Sequence, residues 1–364
     1  MLTILVIRTL RVGLVGCGYW GSKHLRVLNE LSGCEVTALC EPSIENIIRQ
    51  PKAFLPPLVT ADYETFLSSG IDAVVIATPA RTHYQLVMQA LEHDKHVLVE
   101  KPFATNTEDA LAMINAAQQR GLSLLVGHTY VYHPAVEYLR ELIESGELGK
   151  LRYIHTARLN FGILQPDVDV LWDLAPHDIS ILLYLLQKEP EIIGGQGTAC
   201  INPRLFEVAH VDLRFPDGPF AHIYVSWLEP SKIRRLTFVG EEKTAVYDDV
   251  AQGEMIRIYD KSIKLTTSNG TENIVAPQYL QKDITIPYIG DGEPLKNQCT
   301  RFLSSIRTGS PVPSDGWEGL KVVRVLESAE RALYGKEAEP AVTMLPSHHG
   351  GRVPEIVLPR EPRP

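Results

Sequence analysis

Lys101 follows an apolar run, His96-Val97-Leu98-Val99, that reads as a buried strand ending at Glu100-Lys101-Pro102. A lysine delivered to the carboxyl end of a strand in an open α/β sheet points into the crevice where ligands bind. Burial and nearby positive charge would lower its pKa towards a value usable in proton transfer. The alternative is a surface lysine at a strand end. A second cluster is Trp172-Asp173-Leu174-Ala175-Pro176-His177-Asp178. Asp173 and His177 are spaced to share one face of a helix. Proline is tolerated only in a first helical turn, so Pro176 predicts a helix beginning near Trp172 or Asp173. His177 would then sit near a positive helix end, which disfavours the imidazolium and leaves the ring able to accept a proton. Asp173 pulls the other way. A capping acid and a packed histidine would give the same spacing, and Asp178 is a rival for the carboxylate role.

The nucleotide candidates lie upstream. Gly16-x-Gly18-x-x-Gly21 stands between a strand, Val12 to Val15, and a helix from Trp20 to Leu31. Gly16 permits the tight turn, Gly18 lets backbone approach a pyrophosphate, and Gly21 allows close helix–strand packing. The helix start, with Tyr19 and Trp20, offers free N–H groups to phosphates. Glu41 ends the second strand, where an acid accepts ribose hydroxyls and repels a 2′-phosphate. That favours NAD; NADP stays open because Ser43 and Arg49 are near. Thr78-Pro79 follows the strand Asp72 to Ala77, where a loop would pass the cofactor's ribose and diphosphate. His83, on the next helix's first turn, is counted with these contacts, although packing or capping is its ordinary role.

Strand and helix signals alternate to about residue 130, with further strands at Cys34–Cys40 and Leu122–Val126 and a helix at Thr107–Arg120. Such alternation implies a mostly parallel sheet covered on both faces. A helix from His133 to Ser145 follows. Strand runs then come at Leu151–Asn160, Glu191–Ile201, Glu207–Phe215, Phe220–Trp227, Ile233–Val239, Thr244–Asp248 and Met255–Tyr259. They predict a large antiparallel sheet, interrupted by one helix near 172–188 and followed by helices at 293–308 and 315–335. The expected organisation is a Rossmann α/β domain over 1–130, an α+β domain with an open, mainly antiparallel sheet over 131–337, and an extended tail over 338–364.

The formal net charge of −9 argues against a nucleic-acid partner; Lys232, Arg234 and Arg235 form only a local basic cluster. Five cysteines without a C-x-x-C pair argue against a disulfide framework and fit a reducing cytoplasm. No run is long enough to span a membrane. Met1 to Leu10 reads as an extension feeding the first strand rather than a signal peptide. No metal-ligand spacing occurs.

Together the glycine loop, Ala77-Thr78-Pro79 with His83, Glu100-Lys101-Pro102 and Asp173-x-x-x-His177 resemble the Gfo/Idh/MocA family, as does Phe302 to Pro313. The resemblance runs from Arg11 to about Gly335. It implies a Rossmann domain, a C-terminal domain whose open sheet builds homodimers or homotetramers, and hydride transfer between a nicotinamide and a carbinol carbon of a sugar or cyclitol. Lys101 and His177 become the proton-handling pair, with Asp173 positioning substrate or tuning them. Glu100 and Lys101 join the cofactor contacts, and Tyr130, His133 and Trp172 fall to the substrate side. His133 departs from the asparagine common at its position. Trp172-Asp173 and Ser226-Trp227-Leu228-Glu229-Pro230-Ser231-Lys232-Ile233-Arg234 resemble a branch acting on nucleotide-linked sugars, with reaction at the 3-position. Lys232 and Arg234 would meet a substrate diphosphate or, equally, form a solvated or interface pair. The other expectations are an inositol or free-sugar dehydrogenase, a glycosidase that oxidises its sugar transiently with retained NAD, and a non-catalytic cofactor-sensing binder. The presence of Lys101, Asp173 and His177 argues against the last.

Overall fold

The computed structural model describes residues 8–162, 164–165, 168–267 and 274–335. The first sheet is built by β1 (Leu10–Val15), α1 (Tyr19–Glu30), β2 (Cys34–Cys40), α2 (Ile44–Ile48), β3 (Leu58–Thr60), α3 (Tyr63–Leu67), β4 (Ala73–Ile76), α4 (His83–Glu92), β5 (His96–Val99), α5 (Thr107–Arg120) and β6 (Leu124–Val126). Its strand order is β3-β2-β1-β4-β5-β6, with parallel pairing throughout. β4 is wholly buried and β5 nearly so, as strands covered on both faces must be. The order reverses between β1 and β4, and ligands bind beyond the carboxyl ends of strands at such a point. The expected elements are present. β3 is an addition, three residues at the sheet edge and too short to show a period.

The second sheet follows α6 (Pro134–Glu144). It contains β7 (Leu151–Phe161), then, after α7 (Val170–Leu186), β8 (Glu191–Thr198), β9 (Val208–Arg214), β10 (Phe220–Ser226), β11 (Leu228–Gly240), β12 (Thr244–Asp248), β13 (Ile256–Thr267) and β14 (Ile274–Thr285). The order is β14-β13-β12-β11-β7-β10-β9-β8, antiparallel except for β7 beside β10. Alternation sends Ile154, Val211, Ile223, Leu236 and Phe238 into the core. The opposite face carries half-buried His210, His222 and Tyr224. β13 runs beyond Tyr259, where the sequence reading ended it, because β14 pairs with it.

One expectation is corrected. α7 starts at Val170, not near Trp172, so Pro176 lies inside the helix. Asp169 caps the start, accepting the Trp172 N–H at 3.1 Å, and Val170 and Leu171 are fully buried. Those contributions outweigh the single helical bond that Pro176 forgoes. Residues after 293 pack against the first sheet. α8 (Pro294–Thr308) packs Leu295, Cys299, Phe302 and Leu303 into the apolar cluster of β1 and α1. α9 (Gly316–Tyr334) brings Gly319 so close to β6 that a Cβ there would lie 2.5 Å from Val126. The expected tail over 338–364 and Met1 to Ile7 lie outside the described residues.

Candidate active site

The glycine loop joins β1 to α1 at the reversal of strand order. Gly16 has φ +83°, and a Cβ on it would lie 2.5 Å from the Ala77 carbonyl oxygen. A Cβ on Gly21 would lie 2.0 Å from the Gly16 carbonyl oxygen. Both positions therefore require glycine for packing. Gly18 is different: a Cβ there meets nothing within 4 Å, so its approach side is open. Gly18 also caps α1 without a side-chain bond, whereas Asn106, Asp169 and Asp315 cap α5, α7 and α9. The first N–H groups of α1 are thus available to an anion, and Tyr19 beside them is largely exposed. Glu41 accepts the Cys17 N–H at 2.6 Å and the Ser43 N–H at 2.8 Å, which ties the glycine loop to the end of β2. A carboxylate has about four acceptor positions, so capacity for ribose hydroxyls remains. Thr78 packs against Gly16, and its hydroxyl meets that of Thr82 at 2.7 Å; Pro79 is exposed. The open cradle and uncapped helix fit a dinucleotide.

Two candidate cofactor contacts face elsewhere. His83 is wholly buried, its Nδ1 and Nε2 each 2.9 Å from the carbonyl oxygens of Pro102 and Thr78. It braces the loop after β4 against the loop after β5. Burial lowers its pKa, opposed by those two carbonyls. Glu100 is buried, with Oε1 2.7 Å from His24 Nε2. His24 Nδ1 lies 3.7 Å from Cys299 Sγ. Burial works against the imidazolium, yet hydrogen bonding to Cys299 and Glu100 wins and raises the His24 pKa to about 10. Glu100 therefore locks α1 to the end of β5 instead of facing a ligand.

Lys101 and Asp173 meet directly. Lys101 Nζ donates to the Asp173 carbonyl oxygen at 2.8 Å and to its Oδ1 at 2.9 Å. Asp173 Oδ2 accepts the Trp227 indole N–H at 3.1 Å. An ammonium has three N–H groups, so one stays uncommitted. His177 lies close enough to feel the Lys101 charge. Its pKa is held well below the ordinary value, first by burial and then by Lys101, Arg158 and Arg234. The expected cause, a helix N-terminus, does not apply, because α7 begins at Val170. His177 Nδ1 is buried with no hydrogen-bond partner. A neutral imidazole beside a fixed ammonium can take a proton while the ammonium holds the oxygen that lost it.

Tyr130 meets the His177 ring edge-on, 5.1 Å between centroids, and lies under the Arg158 guanidinium at 4.6 Å. Arg158 is itself paired in the interior with Asp178 at 2.7 Å. This assigns Asp178 to Arg158, not to the chemistry. Arg234 donates to the Tyr130 hydroxyl at 2.6 Å and to Asp249 at 3.1 Å, so it is already engaged. Lys232 is exposed where β11 shifts register between Leu228 and Ile233. His133 caps α6 through Nδ1, accepting the Ala135 N–H at 3.0 Å, and is buried near Asp249. Trp172, expected near substrate, is 2% exposed and donates to Glu330 on α9.

Sequence reasoning missed His24, His128, Arg158 and the bond made by Trp227. His128 lies two residues after β6, close enough to feel Glu100 and Lys101; both ring nitrogens are buried without a partner, and burial lowers its pKa to about 4. His24 had a usable signal, one turn beyond Gly21 on the buried face of α1. Arg158 had none, since its pairing depends on β7 facing α7. Among the described residues no His, Cys, Asp and Glu cluster could hold a metal ion, and no helix is long and apolar enough to cross a membrane.

Comparison with known proteins agrees with this geometry. Residues 10–128 match the profile described as an oxidoreductase family with an NAD-binding Rossmann fold, and residues 136–246 match the GFO/IDH/MocA C-terminal domain. UDP-N-acetylglucosamine 3-dehydrogenase of Acidithiobacillus ferrooxidans is 27% identical over 318 residues, 86% of this chain and 94% of the relative. A solved structure of that enzyme superposes with a TM-score of 0.72 at 25% identity, over 89% of this chain and 97% of the other. Inositol 2-dehydrogenase of Acidiphilium cryptum is 32% identical over 215 residues, 57% of this chain and 62% of the relative. A 2,7-anhydro-N-acetylneuraminate hydratase of Escherichia coli is 32% identical over 231 residues, 57% of this chain and 59% of the relative.

Proposed function

This chain belongs to the GFO/IDH/MocA oxidoreductase family, and from that premise we propose that it transfers a hydride between a nicotinamide dinucleotide and a ring carbinol or ketone of a sugar. The substrate we favour is nucleotide-linked and reacts at its 3-position. The observation that carries this reading is the Lys101 ammonium, held twice on Asp173 beside a neutral His177 at the carboxyl end of β5.

In the oxidising direction His177 accepts the hydroxyl proton at a ring nitrogen. The uncommitted Lys101 N–H donates to the same oxygen and stabilises the alkoxide. Asp173 fixes Lys101, with one donor on each of its carboxylate oxygens. Tyr130 supports His177. A bound nicotinamide dinucleotide supplies the hydride acceptor, or the donor in reverse. It would be held by the backbone of Gly16 to Gly21 with Tyr19 and Trp20 at the start of α1, by Glu41, and by Thr78 and Pro79. Glu41 favours NAD over NADP, because a 2′-phosphate would meet a buried carboxylate.

The first relative described supports the nucleotide-linked sugar and the 3-position. With Arg234 engaged, Lys232 is the cation we assign to a substrate diphosphate. The inositol dehydrogenase keeps a free cyclitol as the competing substrate. The hydratase supports a second reading, since hydration involves no net redox change: transient oxidation with retained cofactor. Five free cysteines support a reducing, cytoplasmic setting. The open face of the second sheet is where we place self-association into a homodimer or homotetramer.

The test is absorbance at 340 nm with UDP-N-acetylglucosamine, free N-acetylglucosamine and myo-inositol, each with NAD and NADP. NADH formation with the nucleotide sugar supports the proposal. Turnover of myo-inositol alone supports the cyclitol reading. Substrate conversion without added cofactor, on protein that co-purifies with NAD, supports the second reading.

A further inference from the structure

Trp227 lies between β10 and β11 and is 2% exposed. Its backbone is fixed on both sides, the N–H donating to the Glu207 carbonyl at 3.0 Å and the carbonyl accepting from Gly162 at 2.9 Å. A Cβ on Gly162 would lie 3.0 Å from the indole Cδ1, so that glycine leaves the ring its place. Indole has one donor and no acceptor. That donor goes to Asp173 Oδ2, while Oδ1 of the same carboxylate takes Lys101. Donors on both oxygens leave the carboxylate one orientation. Trp172 is the contrast, because its indole N–H goes to Glu330 and has no link to the lysine.

We propose that Trp227 is a positioning residue for Lys101: its indole N–H fixes the Asp173 carboxylate, which fixes the ammonium and leaves one N–H for the substrate oxygen. The inference rests on the reading of Lys101 as the group that stabilises that oxygen. Without the indole donor, Oδ2 loses its partner, the carboxylate is free to turn, and Lys101 loses its anchor.

Trp227→Phe keeps an aromatic ring and removes the donor together with part of the indole's volume. It is compared with Asp173→Asn, with the double variant, and with Tyr334→Phe. The last removes the hydroxyl that donates to Asp169 at 3.0 Å and loosens the start of α7 without touching Asp173. The first readout needs no turnover: acetylation of Lys101 by an N-hydroxysuccinimide ester, measured by peptide mass spectrometry against the other lysines. Trp227→Phe is expected to raise Lys101 labelling about 3- to 10-fold, and the double variant to label no faster than Asp173→Asn, as residues acting through one another do. Tyr334→Phe should label like the unaltered protein. With UDP-N-acetylglucosamine and NAD as probes, Trp227→Phe should lower kcat about tenfold with KM changed less than about twofold. Unaltered Lys101 labelling in Trp227→Phe, or additive labelling in the double variant, would overturn the proposal. Absence of turnover with these probes would count against the functional reading, while the labelling cycle would still decide the role of Trp227.

Discussion

Lys101 commits two of its N–H groups to a single residue, 2.8 Å from the Asp173 carbonyl oxygen and 2.9 Å from its Oδ1. The contact joins a strand of the first sheet to a helix that packs on the second. The ammonium is thereby oriented as well as charged, which is what a group stabilising a developing alkoxide requires. It also divides the labour. Asp173 holds the lysine, and in the reaction we propose His177, without a hydrogen-bond partner at Nδ1, moves the proton.

Asp173→Asn keeps an oxygen for Lys101 but removes the charge that anchors it. We expect kcat to fall about 10- to 100-fold, with NADH affinity changed less than about threefold. Steady-state kinetics with fluorescence titration of NADH checks both; a large loss of NADH affinity with unchanged kcat would place Asp173 in cofactor binding.

His177 is held neutral by burial and by the cations of Lys101, Arg158 and Arg234. A base with a depressed pKa stays competent at lower pH. Oxidation should therefore remain flat as pH falls through about 6.5, the ordinary histidine value, and fail only below it. The stability consequence has the same sign. His128, lowered to about 4, contributes stability that is present above about 6.5 and lost as pH falls from there towards 4. An activity limb centred near the ordinary histidine value would contradict the first statement. Denaturation midpoints across this range, with His128→Asn as reference, check the second.

His24 behaves oppositely. Its folded-state pKa, about 10, lies above the unfolded value of about 6.5. The stability it contributes is fully present below about 6.5 and lost as pH rises from there through 10. Urea denaturation between pH 7 and 9.5 should show this fall, and His24→Gln should flatten it. An identical slope in the variant would mean that the His24–Glu100 pair is not charged.

Glu41→Ser removes both the carboxylate expected to meet the ribose and the acceptor holding the Cys17 N–H. NADH affinity should drop about tenfold, roughly 1.4 kcal/mol, while discrimination against NADPH narrows. Parallel fluorescence titrations with the two cofactors check this; an unchanged preference would remove Glu41 from the cofactor site.

Much of this was legible locally. The limits of α5 follow from Asn106 as its cap and left-handed Gly121 at its end, and the glycine loop announced its strand and helix. Lys101 stands out by its place at a strand end and Asp173 and His177 by their spacing, but the contact that joins the lysine to the aspartate does not follow from either. That depends on where α7 starts, and Asp169 decides it in place of Pro176. His83, Glu100 and Trp172 are expected as ligand contacts because they stand in the motifs that carry the family resemblance. Side chains of neighbouring residues diverge, and these three turn into the interior. Arg158, Arg234 and Tyr130 come together only when β7 and β11 pair, with Arg158 opposite Arg234, a register no local pattern encodes.

The central claim is that Lys101 acts on the substrate oxygen and not in binding the dinucleotide. Lys101→Met, assayed at 340 nm with UDP-N-acetylglucosamine and NAD beside a fluorescence titration of NADH, tests it most directly. The expected result is a loss of kcat of about 100-fold or more with NADH affinity within about threefold of the unaltered protein. Turnover at the unaltered rate would contradict it.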